Sequence, residues 1–245
     1  MKISKIEWTD ATWNPSTGCN KITAGCKNCY AETMAKRLQA MGASGYENGF
    51  DFILMPERID LPRKIKKPTK FFVNSMSDLF HENMPYDFLD SVFNVISETP
   101  HHQYQILTKR ENILEDYFKH RKVPKNVWLG VTVENSKTKN RIDVLRKIDA
   151  EIRFLSIEPL IGEVGDVDLT DIHWVIVGGE SGHKARPMKS EWAIDIQRQC
   201  NEQNVAFFFK QWGTWGEDGV KRSKKSNGRI LLGKEWNEEP IYEII

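Results

Sequence analysis

The sequence predicts an α/β fold: a full or partial (β/α) TIM-like barrel of parallel strands, followed by a small C-terminal appendage. Short apolar, β-branched or aromatic segments alternate along the chain with segments in which apolar residues recur at helical spacing. The short segments are continuously apolar, which is typical of parallel strands covered on both faces. Repeated alternation of this kind implies parallel pairing through right-handed crossovers. A doubly wound open sheet is the alternative fold.

Strands and helices are predicted in alternation. A short strand lies near residues 11–14, and longer ones span residues 51–55, 70–74, 104–108, 127–133, 153–157, 174–177 and 205–210. The first predicted helix follows Cys29 and stops at Gly42. Its apolar stripe consists of Tyr30, Met34, Leu38 and Met41. Four more helices carry apolar stripes at residues 88–96, 113–118, 142–148 and 192–200.

Residues 1–213 are predicted to form the barrel domain, and residues 214–245, which are rich in Gly, Lys and Glu, are predicted to form the appendage. The formal net charge is +1, so an anionic partner must be held by local patches. The first ten residues contain no apolar signal core, and no apolar run approaches the roughly 18 residues of a membrane span. We therefore expect a cytoplasmic protein without a membrane partner.

Three of the four cysteines, Cys19, Cys26 and Cys29, form a C-x6-C-x2-C pattern. In a reducing compartment, clustered cysteines more often bind metal or do redox chemistry than form disulfides. Structural zinc usually takes four protein ligands, catalytic zinc takes three, and an iron–sulfur cluster usually takes four cysteines. The surrounding segment has no histidine, and Cys200 lies on an apolar helix stripe, where we expect a buried hydrophobic residue. The economical interpretation is a [4Fe–4S] cluster held by three cysteines, with one iron open for a small ligand.

A cysteine triplet after the first strand of a β/α barrel, with the last cysteine opening a helix, resembles the radical S-adenosyl-L-methionine (SAM) superfamily. The sequence departs from the usual C-x3-C-x2-C spacing, and Asn28 stands before the third cysteine, where an aromatic residue is usual. The superfamily's Gly-Gly-Glu motif normally ends an early strand, whereas Gly178, Gly179 and Glu180 come late. The resemblance implies a [4Fe–4S] cluster, SAM as cofactor, an electron donor as partner, and a 5′-deoxyadenosyl radical that abstracts hydrogen from a substrate.

A closer resemblance, which covers nearly the whole chain, is to the phage-type three-Cys-motif family, a group largely of unassigned function. Seven blocks carry it, in this order: "IEWTDATWNPSTGC", "CKNCYAE", "VNSMSDLFHE", "QILTKR", "FLSIEPL", "VIVGGESG" and "FFFKQWG". This resemblance implies a phage protein, for which nucleic-acid modification is a reasonable setting.

Polar residues follow the predicted strands, at the end of a barrel where reactive groups gather. The radical SAM resemblance implies that the methionine amine is held by Asn74, Ser75, Ser77 and Asp78. The other expected cofactor-binding residues are Thr108, Glu134 and Glu158, with Glu134 or Glu158 on the ribose hydroxyls. Lys210 and Glu158 are the expected catalytic residues. Carboxylate or phosphate groups of a ligand could be held by Lys109, Arg110, Arg186 and Lys210.

Two functions are open on this basis. The first is a radical SAM enzyme that acts on a small molecule or a nucleotide, with a base within a nucleic acid as a further candidate substrate. The alternative is a zinc-stabilised nucleic-acid-binding module without catalytic activity. It is supported by the basic stretches 62–70 and 221–229 and by two neighbouring tryptophans that could stack on bases, Trp212 and Trp215. The sequence lacks the motifs of P-loop NTPases, HExxH zinc proteases and GxSxG hydrolases.

Overall fold

A computed structural model describes residues 6–241 of the chain. Its strands are β1 (Ala11–Trp13), β2 (Ser16–Thr17), β3 (Ile53–Leu54), β4 (Lys70–Val73), β5 (Gln103–Thr108), β6 (Val127–Thr132), β7 (Ile152–Ile157), β8 (Trp174–Gly178) and β9 (Ala206–Gln211). Its α-helices are α1 (Tyr30–Ala40), α2 (Tyr86–Glu98), α3 (Glu111–Phe118), α4 (Asn140–Arg146), α5 (Ser190–Glu202) and α6 (Lys224–Asn227). Short 3-10 helices lie at Ala24–Cys26, Pro56–Arg58, Pro62–Lys64 and Ser136–Thr138.

Seven strands form one parallel sheet, in the order β1-β4-β5-β6-β7-β8-β9. The sheet curls into a partial TIM-like barrel with helices packed against it, which confirms the predicted fold class. In the register of β5 and β6, Tyr104 lies opposite Val127 and Thr108 lies opposite Val131. Because neighbouring strands are parallel and end at similar levels, the polar residues that follow them lie close together at one end of the barrel.

The predicted strand at residues 51–55 does not join this sheet. Its central residues form β3, which pairs antiparallel with β2. β3 is only two residues long because Pro56 follows it closely and opens a 3-10 helix, and proline restricts the backbone of the residue before it. The amide of Met55 donates to the carbonyl of Pro15 at 2.8 Å, so the β2–β3 ribbon fixes the stretch of chain that leads to the first cysteine.

Aromatic side chains fill the interior of the barrel. One buried cluster contains Trp8, Phe72, Trp128, Ile152, Phe154, Trp174, Ile176 and Phe208. The indole of Trp174 lies edge-on to those of Trp8 and Trp128, with ring centroids 6.1 and 5.7 Å apart. Gly130 makes room for Phe154, because a Cβ at that position would come within 2.5 Å of the phenyl ring. The cluster packs the barrel below the C-terminal ends of the strands.

The main apolar core lies between the sheet and its helices. The buried residues of α2 are Leu89, Val92, Phe93, Val95 and Ile96. Cys200 of α5 is fully buried in this core, as predicted, and burial raises the pKa of its thiol. α1 differs from expectation, because Ala31 and Ala35 are its buried residues and most of its predicted apolar stripe is exposed: Tyr30, Met34 and Met41. Across residues 6–241, every helix is too short or too polar to cross a membrane.

Within the segment of residues 214–241, residues 236–238 pair with β9, the last strand of the sheet. The amide of Phe209 donates to the carbonyl of Trp236 at 3.0 Å, which covers an edge whose backbone groups would otherwise lack partners. The same segment reaches the chain ahead of β1, where Lys224 pairs with Glu7 at 3.2 Å. The domain boundary expected at residue 213 stays a prediction.

Candidate functional site

A cavity of about 370 Å³ opens at the C-terminal ends of the strands, above the aromatic interior. Its apolar lining includes Trp8, Phe72 and Leu107. Polar side chains at the strand ends complete the wall: Lys109, Ser156, Glu158, Glu180, Lys210 and Gln211. Residues 18–29, which we call the cysteine loop, lie against the same cavity and contribute Gly25, Asn28 and Cys29 to its lining. The cavity therefore joins the strand ends to the cysteine motif.

The cysteine loop connects β2 to α1 and contains three free, half-buried thiols. The amide of Gly18 donates to Met76 O and that of Cys19 donates to Phe50 O, both at 3.0 Å. Gly18 has a φ of +76°, and a Cβ there would lie 1.9 Å from the carbonyl oxygen of Asp51, so only glycine fits. In residues 6–241 no group of three or more His, Cys, Asp or Glu side chains is arranged to hold one metal ion.

The segment after β4, predicted to hold the methionine amine, supports the start of the cysteine loop. Asn74 has a φ of +56°, and its amide donates to Ser16 Oγ at 2.9 Å while its Oδ1 accepts from the Ser16 amide at 3.2 Å. Ser77 Oγ donates to the carbonyl of Gly18 at 2.7 Å. Ser75 Oγ donates to Asn14 Oδ1 at 3.2 Å. These three side chains come together beside the loop, outside the lining of the cavity.

Asp78 is the centre of a buried network next to Cys19. Its carboxylate accepts from Thr108 Oγ1 at 2.7 Å, and from the Lys109 amide and Arg110 Nη1 at 3.1 Å each. Arg110 Nη1 also donates to Cys19 Sγ at 3.5 Å. Burial raises the pKa of the Cys19 thiol, and the Arg110 guanidinium opposes that rise only in part. Asp78 and Thr108 thus orient the cation that faces the first cysteine.

Lys109 lies between the cavity and Cys26. Burial alone would raise the pKa of the Cys26 thiol, but the Lys109 ammonium and hydrogen bonds from Ile22 and Thr23 outweigh it, so the pKa is lowered. The Thr23 hydroxyl lies 3.6 Å from Cys26 Sγ, and Lys109 Nζ donates to Thr132 Oγ1 at 3.3 Å. The loop environment therefore favours an anionic sulfur at this cysteine.

Glu134, expected to bind ribose hydroxyls, contacts the cysteine loop. Its side chain is fully buried. Oε1 accepts from the Thr23 hydroxyl at 2.6 Å, and Oε2 accepts from the Gly25 amide at 3.0 Å. A Cβ on Gly25 would come within 2.3 Å of Glu134 Oε1, so glycine is required for this approach.

Asn28 connects the cysteine loop to the end of β8. Its side-chain amide donates to Glu180 Oε2 at 3.0 Å and to Lys184 O at 2.8 Å. Arg186 donates to both oxygens of Glu180, from Nη2 at 2.6 Å and from Nε at 3.0 Å. Burial would raise the pKa of Glu180, but the bonds from Arg186 and Asn28 lower it, so the group stays a carboxylate. The sequence signal for this contact was the unusual Asn28 before the third cysteine.

Both residues expected to be catalytic line the cavity. Lys210 Nζ lies 3.1 Å from Glu158 Oε1, and Glu158 Oε2 accepts from Ser156 Oγ at 3.3 Å. Gly178 allows this arrangement, because a Cβ there would lie 2.5 Å from Glu158 Oε1. Lys224 also lines the cavity, although the sequence marked it only as part of a basic stretch.

The sequence matches, over residues 3–240, the model of a family described as "Protein of unknown function (DUF5131)". The chain belongs to the DUF5131 family. No curated protein matches this DUF5131 chain. The match does not confirm the expected relation to the phage-type three-Cys-motif family.

Solved structures of spore photoproduct lyase are similar to the DUF5131 chain. The lyase complexed with dinucleoside spore photoproduct has a TM-score of 0.48 and 13% sequence identity, over 82% of this chain and 63% of that one. A variant with bound AdoMet and dinucleoside spore photoproduct has a TM-score of 0.45, with the same identity and coverage. The chain spans 63% of the length of these structures.

Proposed function

We propose that the chain is a radical SAM enzyme. Cys19, Cys26 and Cys29 would hold a [4Fe–4S] cluster, and SAM and the substrate would bind in the cavity beside the cysteine loop. The observation that carries this proposal is the position of three free thiols in one loop, with Cys29 lining a cavity of about 370 Å³ at the C-terminal ends of barrel strands. Ligand sites of such barrels lie at that end.

The donor set fits such a cluster. Iron–sulfur clusters are bound through cysteine thiolates, and the loop offers three thiols while Cys200 is buried elsewhere. Arg110 beside Cys19 and Lys109 near Cys26 provide positive charge next to the sulfur ligands. When bound, the cluster would supply one electron for cleavage of SAM to methionine and a 5′-deoxyadenosyl radical, and a separate donor must deliver that electron.

The residues of the chain divide into those that face the ligands and those that hold the loop. Glu158 and Lys210 are the proposed ligand-facing pair, since both line the cavity and pair with each other rather than with the cysteine loop. The six other residues expected to bind the cofactor would act through the cysteine loop or its supports: Asn74, Ser75, Ser77, Asp78, Thr108 and Glu134. The aromatic interior below the cavity would exclude water from the reaction.

The substrate is proposed to be a nucleotide or a base within a nucleic acid. Three ammonium groups, those of Lys109, Lys210 and Lys224, line the cavity and suit a phosphate. Trp8 and Phe72 line the same cavity and suit a flat ring. A cation next to an aromatic surface suits the phosphate and the base of a nucleotide, and Lys210 Nζ lies 5.9 Å from the centre of the Trp8 ring.

The test is anaerobic purification with iron and sulfide analysis, followed by a SAM-cleavage assay with reductant. We expect iron and sulfide together, their loss in Cys19→Ala, Cys26→Ala and Cys29→Ala, and their retention in Cys200→Ala. Near-stoichiometric zinc without sulfide in the native protein would overturn the proposal and favour the zinc-stabilised binding module.

A further inference from the structure

Two buried carboxylates from different strands hold the cysteine loop across the mouth of the barrel. Glu134 comes two residues after β6, and Glu180 comes two residues after β8. Glu134 is fully buried and Glu180 is 6% exposed. Burial of a carboxylate is costly unless hydrogen bonds or opposite charges compensate for the lost water. The hydrogen-bond donors of each carboxylate therefore show which part of the chain it holds.

The cysteine loop supplies the donors of Glu134. Its two oxygens receive the Thr23 hydroxyl at 2.6 Å and the Gly25 amide at 3.0 Å, and both donors lie between the first and second cysteines. Gly25 lies in the short 3-10 helix at Ala24–Cys26, where amides lack helical partners. The buried Glu134 carboxylate and the two loop donors therefore satisfy one another's hydrogen-bonding groups.

Glu180 holds the loop between the second and third cysteines. Asn28 donates to its Oε2 at 3.0 Å, and Arg186 neutralises it through two side-chain bonds at 2.6 and 3.0 Å. The pKa of Arg186 is raised first by its hydrogen bond to Glu180, and the charge of Glu134 contributes to the same rise. One guanidinium thus lies within electrostatic reach of both carboxylates.

We propose that Glu134 and Glu180 are positioning residues, which hold the cysteine loop of the apoprotein in the conformation that receives the iron–sulfur cluster. This inference rests on the proposed function for the identity of the group received. Glu134 holds the segment between Cys19 and Cys26 through Thr23 and Gly25. Glu180 holds the segment between Cys26 and Cys29 through Asn28. Holding both intervals limits the conformational freedom that the loop must lose when the group binds.

The loop conformation can be tested without any cluster. Hydrogen exchange is measured on the reduced, metal-free full chain for the wild type, Glu134→Ala, Glu180→Ala and the control Asp90→Ala. Asp90 is a suitable control because it also accepts several bonds, from Tyr117 and Arg121, but joins α2 to the end of α3. We expect the Gly25 amide to exchange about tenfold to a hundredfold faster in Glu134→Ala, the factor implied by the loss of a hydrogen bond to a charged group.

Three further features of the exchange data make the test decisive. Glu180→Ala should speed amide exchange around Asn28. The exchange rate of the Gly25 amide in Glu134→Gln should lie between those of the wild type and Glu134→Ala, because glutamine keeps one acceptor. Asp90→Ala should leave the exchange of the loop amides unchanged. If Glu134→Ala does not fold, Thr23→Val and Asn28→Ala remove the loop-side donors and should speed loop exchange in the same two places. Loop exchange equal to that of the wild type in the folded variants would overturn the inference.

The second measurement concerns the cluster. The same proteins are incubated anaerobically with ferrous iron and sulfide, and the iron and sulfide retained per chain are measured after desalting. We expect severalfold less in Glu134→Ala and Glu180→Ala than in the wild type and Asp90→Ala. Faster loop exchange with full retention would overturn the positioning role. No retention by the wild type would instead overturn the proposed function, while the exchange data alone would still decide whether the carboxylates hold the loop.

Discussion

Asp78→Ala should destabilise the metal-free protein by about 3–5 kcal/mol, because it removes one partner of a buried ion pair. The side chains of Asp78 and Arg110 are 9% and 5% exposed, and their closest atoms are 3.1 Å apart. The change also removes the acceptor of the Thr108 hydroxyl and of the amides of Phe80 and Lys109. Because a domain of this kind has a free energy of unfolding of about 5–15 kcal/mol, the loss is a large fraction of the total.

The assay is urea unfolding of the reduced apoprotein, with thermal unfolding as a second measurement. A loss of this size corresponds to a fall in Tm of roughly 6–20 °C for a chain of this length. Ser75→Ala is the matched control in the same segment, since Ser75 makes one side-chain bond, at 3.2 Å to Asn14, and should cost at most about 1 kcal/mol. The double variant Asp78→Ala/Arg110→Met should be more stable than the sum of the single effects by about 1–3 kcal/mol.

The result that would refute this reasoning is a loss below about 1 kcal/mol in Asp78→Ala, or additive effects in the double variant. The two roles considered for Asp78 give different outcomes. A direct contact with the methionine amine, as expected from the sequence, would weaken SAM binding in Asp78→Ala and leave the stability of the apoprotein nearly unchanged. A role in orienting Arg110 toward Cys19 would lower the stability of the apoprotein first.

Gly178→Ala should weaken SAM binding about tenfold, or about 1.4 kcal/mol, because a Cβ 2.5 Å from Glu158 Oε1 would displace that carboxylate. An unchanged SAM affinity, measured by calorimetry, would contradict this prediction. The affinity for single-stranded oligonucleotides should fall less steeply with salt in Lys210→Ala and in Lys224→Ala than in the wild type. In each variant, the slope of log affinity against log salt concentration should be less negative by about 0.7, and an unaltered slope in anisotropy titrations would argue against phosphate binding by that lysine. Glu180 has a lowered pKa, so it stabilises the fold above about pH 4.5 and loses that contribution as pH falls through the lowered value. Wild-type stability should therefore fall more than that of Glu180→Gln between pH 6 and pH 3, and parallel urea-unfolding curves would exclude this role.

The sheet was predictable because its strands carry their own signal. Buried parallel strands such as Val127–Thr132 and Trp174–Gly178 are apolar on both faces, so a continuous apolar run identifies them without knowledge of their neighbours. The segment at residues 51–55 carries the same composition but pairs with β2. Pairing partners are set by the folded chain, so composition alone could not place this segment outside the main sheet.

The direction of side chains on α1 was harder to predict for a similar reason. Tyr30 and Met34 have helical spacing, yet Tyr30 is 57% and Met34 is 41% exposed, and the small residues Ala31 and Ala35 face the protein. α1 leaves the cysteine loop and packs closely, which favours alanine at the contact. Periodicity identified the helix correctly, but the close approach that selects its buried face depends on the tertiary structure.

The polar residues that follow the strands lie at one end of the barrel, as the predicted parallel sheet implied. Their contacts could not be predicted, because they depend on the conformation of the cysteine loop above them. The ends of β4, β6 and β8 supply Asn74, Glu134 and Glu180, and each of these contacts the cysteine loop or the chain that leads into it. The ends of β7 and β9 supply Glu158 and Lys210, which face the cavity. A loop with three thiols and many backbone amides loses less conformational freedom on binding when it is already held in place. Buried carboxylates and amides hold it well because each accepts or donates more than one bond. If the proposed roles hold, substitutions of Glu158 and Lys210 should change mainly what the site binds, whereas substitutions of Glu134 and Glu180 should change mainly whether the loop is held.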